Sequence, residues 1–132
     1  MIGYLLVGTN DLKASSHFYD QLFAPMFGKR AMEVERFVVW QFGSHDTLFG
    51  VTPPYDDKPA SVGNGTMISL RLESPEAVDN QHALALKLGA TCCGAPGPRN
   101  EVFYGGYFRD LDGNKLVFYH VNAKGREMGV KL

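Results

Sequence analysis

Tyr107-Phe-Arg-Asp-Leu-Asp-Gly-Asn-Lys-Leu-Val-Phe-Tyr-His120 sets two apolar, aromatic-rich runs on either side of a polar turn, Asp110 to Asn114. Asp112-Gly113 is a hairpin signal, because glycine and its neighbours tolerate the positive φ that a tight reversal needs. After the turn, residues 115–120 alternate, with Leu116 and Phe118 on one side and Val117 and Tyr119 on the other. A period of two predicts a strand with one face in a core and the other turned to something different.

The rest of the chain extends this pattern. Residues 2–8 read as a strand, with Leu5 and Val7 under a helix and Tyr4 and Leu6 on the opposite face. Asn10 is the expected N-cap, and Asp11 suits the helix dipole. Leu12, Ser15, Phe18, Tyr19 and Leu22 then recur at helical spacing, and Pro25 and Gly28 end the helix. Strands are expected at 30–34, 37–42 and 47–51. A second series follows: a strand at 67–73, a helix opened by Ser74-Pro75 and stopped by Gly89, and a short strand at 91–93. A loop at 94–98 leads to the strands 101–109 and 115–121. Residues 2–51 and 67–121 thus repeat one unit, β-α-β-β-β. The predicted class is α+β, two tandem β-α-β-β-β modules in a curved, mostly antiparallel sheet that forms a cup with helices on one side. The first module covers residues 1–52, a linker 53–66, the second module 67–121 and a tail 122–132. The linker carries three prolines, Pro53, Pro54 and Pro59, which exclude a central strand or helix. Asp56, Asp57 and Lys58 within it are candidates for a lid.

Composition narrows the functional classes. The chain has 132 residues, 45% hydrophobic and 20% charged, with a formal net charge of −1. Those values describe an ordinary soluble domain with no electrostatic footprint for nucleic acid or an anionic membrane. No apolar run approaches a membrane span, and no secretory pattern opens the chain, so a cytoplasmic location is expected. Cys92 and Cys93 are adjacent, a spacing too strained for a mutual disulfide, and are expected to be reduced thiols.

Two stretches carry a family resemblance. Asp110-Leu-Asp-Gly-Asn-Lys-Leu116 resembles the C-terminal D-P-D-G-N-x-[IL]-E signature of the vicinal oxygen chelate superfamily, which includes glyoxalase I, bleomycin and fosfomycin resistance proteins and extradiol dioxygenases. Ile2-Gly-Tyr-Leu-Leu-Val-Gly-Thr-Asn-Asp-Leu-Lys-Ala-Ser-Ser-His-Phe-Tyr19 resembles its first strand and helix. The resemblance implies a ligand cup, often completed through a homodimer. Members that use a metal supply His or Glu from about four strand positions. Here those positions fall on Tyr4, near residues 49–51, on Met67 and on Val117, and none holds His, Asp or Glu.

The expected cup lining is Tyr4, Leu6, Met67, Ser69, Val117 and Tyr119, joined by Trp40 or its neighbours and by Phe103 or Tyr104. Arg36 is a candidate to hold a carboxylate or phosphate. Such a lining suits an organic molecule by burial and ring stacking, and does not suit a divalent cation, which needs three or four converging donors. His17, His45, His82 and His120 form no ligand spacing. No catalytic residue is identified, and no cofactor or metal is expected. The leading reading is a metal-free protein that binds a small organic molecule, or an enzyme on such a molecule whose reaction the sequence does not name, without nucleic-acid or membrane partners. The alternatives are a glyoxalase I-like metal-dependent lyase and a structural or regulatory domain with no ligand.

Overall fold

The 110–114 turn is held by a single carboxylate. Asp110 Oδ1 accepts from the backbone N–H of Asp112 and of Asn114, each at 2.9 Å, and Oδ2 accepts from the Asn114 side-chain amide. Gly113 sits at φ 90, a left-handed position that suits glycine. The computed structural model describes residues 1–130. The chain divides into two units, Met1–Gly63 and Asn64–Leu132.

In the first unit, β1 (Tyr4–Gly8), β2 (Gly28–Glu33), β3 (Val38–Phe42) and β4 (Leu48–Thr52) form a sheet in the order β1-β4-β3-β2. Strand β1 lies parallel to β4, and the other pairings are antiparallel. Helix α1 (Leu12–Phe23) is capped by Asp11, whose side chain accepts from Ala14 N, and not by Asn10. Asn10 instead ties down the linker through two hydrogen bonds with Ala60. The helix ends in a 3-10 turn, Ala24–Met26, and Phe27 takes the left-handed conformation there. Tyr19 and Phe23 of α1 pack on Trp40 and Phe49 of the sheet, with ring centroids 4.8 to 6.0 Å apart.

In the second unit, β5 (Ile68–Arg71), β6 (Thr91–Pro98), β7 (Phe103–Arg109) and β8 (Lys115–Val121) repeat the arrangement, in the order β5-β8-β7-β6, with β5 parallel to β8. Ser74 caps α2 (Pro75–Lys87) through Ala77 N, and Gly89 takes φ 110 just past its end. Residues 94–98, expected as a loop, extend β6. The strand tolerates its glycines and prolines by shifting register between Cys92 and Gly94 and again between Gly94 and Gly97, as an edge strand can. The tail contributes α3 (Ala123–Glu127), capped by Asn122, and residues 131–132 of it lie outside the described residues.

One polar cluster ties α1 to the first sheet. Arg30 on β2 grips Asp20 with two hydrogen bonds, at 3.0 and 2.7 Å, and the buried Trp40 indole N–H donates to the same carboxylate at 3.0 Å. The Arg30 hydrogen bond holds the Asp20 carboxyl below its usual value of 3.8. Removing that acceptor leaves the indole N–H buried and unpaired, so Asp20→Ala is expected to cost about 1–3 kcal/mol in urea denaturation. A depressed native carboxyl stabilises fully above pH 3.8 and loses that contribution as the pH falls through its native value. The acid limb of the wild-type stability profile should therefore be shallower in Asp20→Ala.

Candidate functional site

The rings that pack against α1 and α2 mark one face of each sheet, and strand pairing then places every other side chain. In the first unit Leu5 pairs with Phe49, on the α1 side, so Tyr4 and Leu6 point away from the helix. They are 66% and 44% exposed. In the second unit Phe108 stacks on Phe118 and meets the His82 ring of α2 edge-on. Val117, Tyr119 and Val121 therefore lie on the opposite face, with Ser69 and Arg71 of β5 beside Val117 and Tyr119. Met67 stands just before β5 at the same parity as Ser69.

Three expected lining residues lie elsewhere. Trp40 pairs with Phe49 and is fully buried against α1, because its indole N–H is drawn to Asp20. Tyr104 pairs with His120 on the α2 side, and its hydroxyl donates to Asp79 of the helix at 2.7 Å. Of the pair Phe103 or Tyr104, it is Phe103 that shares a face with Val117, stacked on Tyr119 at 5.2 Å with nearly parallel rings. Arg36 sits in the turn between β2 and β3 rather than on a strand. Its guanidinium donates to Asp57 Oδ1 and to the Pro54 carbonyl. Arg36 and Asn10 thus fasten residues 54–60 to the first unit, including the segment considered as a lid.

The helix-free face of the first sheet is closed around a glycine. A Cβ on Gly50 would meet Leu6 Cδ2 at 2.7 Å, the Val38 carbonyl at 2.9 Å and Val39 Cγ2 at 2.9 Å. On the second sheet Val117 is fully buried, with Phe103, Tyr107 and Val130 packed on its cluster. Burial raises the Tyr119 phenol above its usual value despite the nearby Arg71, so this hydroxyl stays neutral.

Known structures share this architecture. A glyoxalase/bleomycin resistance protein from Albidiferax ferrireducens is 34% identical, with a TM-score of 0.83 over 92% of this chain and 99% of that one. The chain belongs to the glyoxalase/bleomycin resistance family. A glyoxalase/bleomycin resistance protein/dioxygenase family enzyme from Burkholderia phytofirmans (21% identity, TM-score 0.76, 91% and 98% of the two chains) shares the fold. So does a glyoxalase-related enzyme from Fulvimarina pelagi (15% identity, TM-score 0.75, 91% and 87%). No family model and no curated protein matches the sequence. The vicinal oxygen chelate superfamily, to which these proteins belong, is the one the two terminal stretches resemble.

The positions where the resemblance puts the superfamily's metal ligands carry few donors in this chain. On the strand over residues 49–51 the position turned away from α1 is Gly50, which has no side chain and is overlain by Leu6 and Val39. Val117 offers an apolar side chain inside an aromatic cluster. Met67 offers a thioether and Tyr4 a phenol, both weak donors for a hard or borderline cation. Among the described residues no three His, Cys, Asp or Glu side chains gather. The residues present do not fit a divalent metal in the superfamily's usual manner. His82 Nε2 and His120 Nδ1 contact the carbonyls of Tyr107 and Leu72 at 3.1 and 3.0 Å. A carbonyl can only accept, so these ring nitrogens donate and have no lone pair to offer there.

Restoring the family's carboxylate should be harmful. Val117→Glu places a charge where Val117 is fully buried beside Phe103, Tyr107 and Tyr119. We expect it to destabilise the protein by about 2–4 kcal/mol in chemical denaturation, whereas Tyr4→Phe, at an exposed position, changes stability by less than about 0.5 kcal/mol.

Proposed function

We propose that this family member binds a small organic molecule on the helix-free faces of its sheets and does so without a divalent metal. The observation that carries the reading is the side-chain chemistry of Tyr4, Gly50, Met67 and Val117, which replace donors by a phenol, a gap, a thioether and an isopropyl group. In the first unit that face offers a ligand exposed apolar surface at Leu6 and the ring of Tyr4, and in the second unit the half-buried ring of Phe103. Burial and ring stacking are the interactions such a surface supplies. In the same reading the protein is a homodimer, to be tested by light scattering for twice the monomer mass.

Metal analysis of the purified protein by mass spectrometry should find far less than one equivalent of nickel, zinc, iron or manganese. A stoichiometric metal whose removal abolishes ligand binding would overturn the reading in favour of a metal-dependent lyase. A thermal-shift screen of hydrophobic metabolites and antibiotics should return hits, since saturation at 100 times Kd adds about 2.7 kcal/mol to stability. Tyr4→Ala should weaken those hits.

A further inference from the structure

The charged side chains on the helix-free face of the second sheet all have one sign. On β5, β7 and β8 that face carries Arg71, Arg109 and Lys115, and no strand position on it holds Asp or Glu. The chain as a whole has a net charge of −1, so composition does not produce this bias.

A fourth cation is folded onto the same face. Arg99 follows β6 and turns back over it, where Gly94 and Gly97 leave room. A Cβ on either glycine would stand 3.3 Å from an Arg99 guanidinium nitrogen. The guanidinium donates to the carbonyls of Ala95 at 2.7 Å and Gly97 at 3.1 Å, and its Cζ lies 5.2 Å from the Tyr107 ring centroid. Lys115 Nζ lies 5.6 Å from the same centroid. Two carbonyls and a ring face orient a guanidinium without cancelling its charge. Among the described residues neither Arg99 nor Lys115 forms an ion pair.

We propose that Arg99 and Lys115, flanking Tyr107, form the anion-binding end of the ligand site, and that the ligand is a small organic oxyanion with an apolar body. The inference rests on the binding reading given under Proposed function and adds the charge of the ligand to it. A guanidinium held in place offers directed N–H donors to a carboxylate, sulfonate or phosphate oxygen, and the ammonium adds a point charge. The half-buried rings of Tyr107 and Phe103, which cover the buried Val117 and Tyr119 on the same face, meet the apolar body. At the far end of the strands α3 closes the face, since Gly125 packs on Val121 and Val102.

The test compares two fluorescent probes that differ by one charge, anilinonaphthalenesulfonate and its uncharged parent anilinonaphthalene. The sulfonate should bind about tenfold more tightly or better, and Arg99→Gln and Lys115→Gln should each remove most of that advantage while leaving the uncharged probe unaffected. Raising the salt from about 0.05 to about 0.5 M should weaken the sulfonate alone. Arg99→Lys, which keeps the charge but not the planar fork, should retain part of the advantage. Lys87→Gln, at the end of α2, should change nothing. Arg99 also braces the bulged β6, so circular dichroism of each variant checks the fold, and Lys115→Gln decides the question if Arg99→Gln is unfolded. Equal binding of the two probes, or an equal loss in Lys87→Gln, overturns the anion site and leaves the binding reading standing. Failure of both probes to bind overturns both.

Discussion

Side-chain alternation along β8 is the constraint on which the molecule depends. Leu116 and Phe118 must go under α2, so Val117, Tyr119 and Val121 must go to the other side. A slip of one residue would exchange the two sets and turn two aromatic-lined surfaces inside out. Three features prevent it. The Asp110 carboxylate fixes the preceding turn. Strand β5 pairs with β8 over four residues, and Leu72 N extends that ladder to the Tyr119 carbonyl. Phe103, stacked on Tyr119, locks the same register from β7. In the first unit the corresponding division is enforced by charge as well as shape, because Arg30, Asp20 and Trp40 can meet only if Trp40 faces α1.

What was legible in the sequence was local. The 110–114 turn, the Ser74-Pro75 helix start and the limits of the last strand follow from a few neighbouring residues, and the structure has them where the residues put them. The cap of α1 was misplaced by one position, since Asn10 and Asp11 are both competent caps and a linker residue fifty positions away claims Asn10. Distant partners also decided the misplaced lining residues. Trp40 and Tyr104 look like ligand-facing aromatics until their polar atoms find Asp20 and Asp79. Arg36 looks like an anion clamp until Asp57 arrives from the linker.

Glycines explain much of the rest. Sequence reading gives each strand position its own side chain, but at Gly50, Gly94, Gly97 and Gly105 the space belongs to a neighbour. Leu6 and Val39 close over Gly50, Arg99 lies over Gly94 and Gly97, and Phe103 approaches the Cβ position of Gly105 to 2.9 Å. The reading of 94–98 as a loop therefore concealed a strand and also the seat of a cation. A glycine-rich edge strand is weak in its own ladder, and here that weakness makes room for a guanidinium.

Duplication of a module duplicates its topology and leaves its chemistry free to diverge. The two sheets have matching strand orders, each with its first strand inserted beside its last and a bulged edge strand opposite. Yet the helix-free face of the first unit presents Tyr4, Leu6, Lys29 and Gln41, while that of the second presents Arg71, Arg109 and Lys115 beside the buried Val117 and Tyr119. Packing against the helices constrains the other face in both units alike, because rings there touch rings. The free faces carry no such obligation. Changes of residue type there leave the core intact, so the fold can retain a family likeness while the chemistry of the free faces changes.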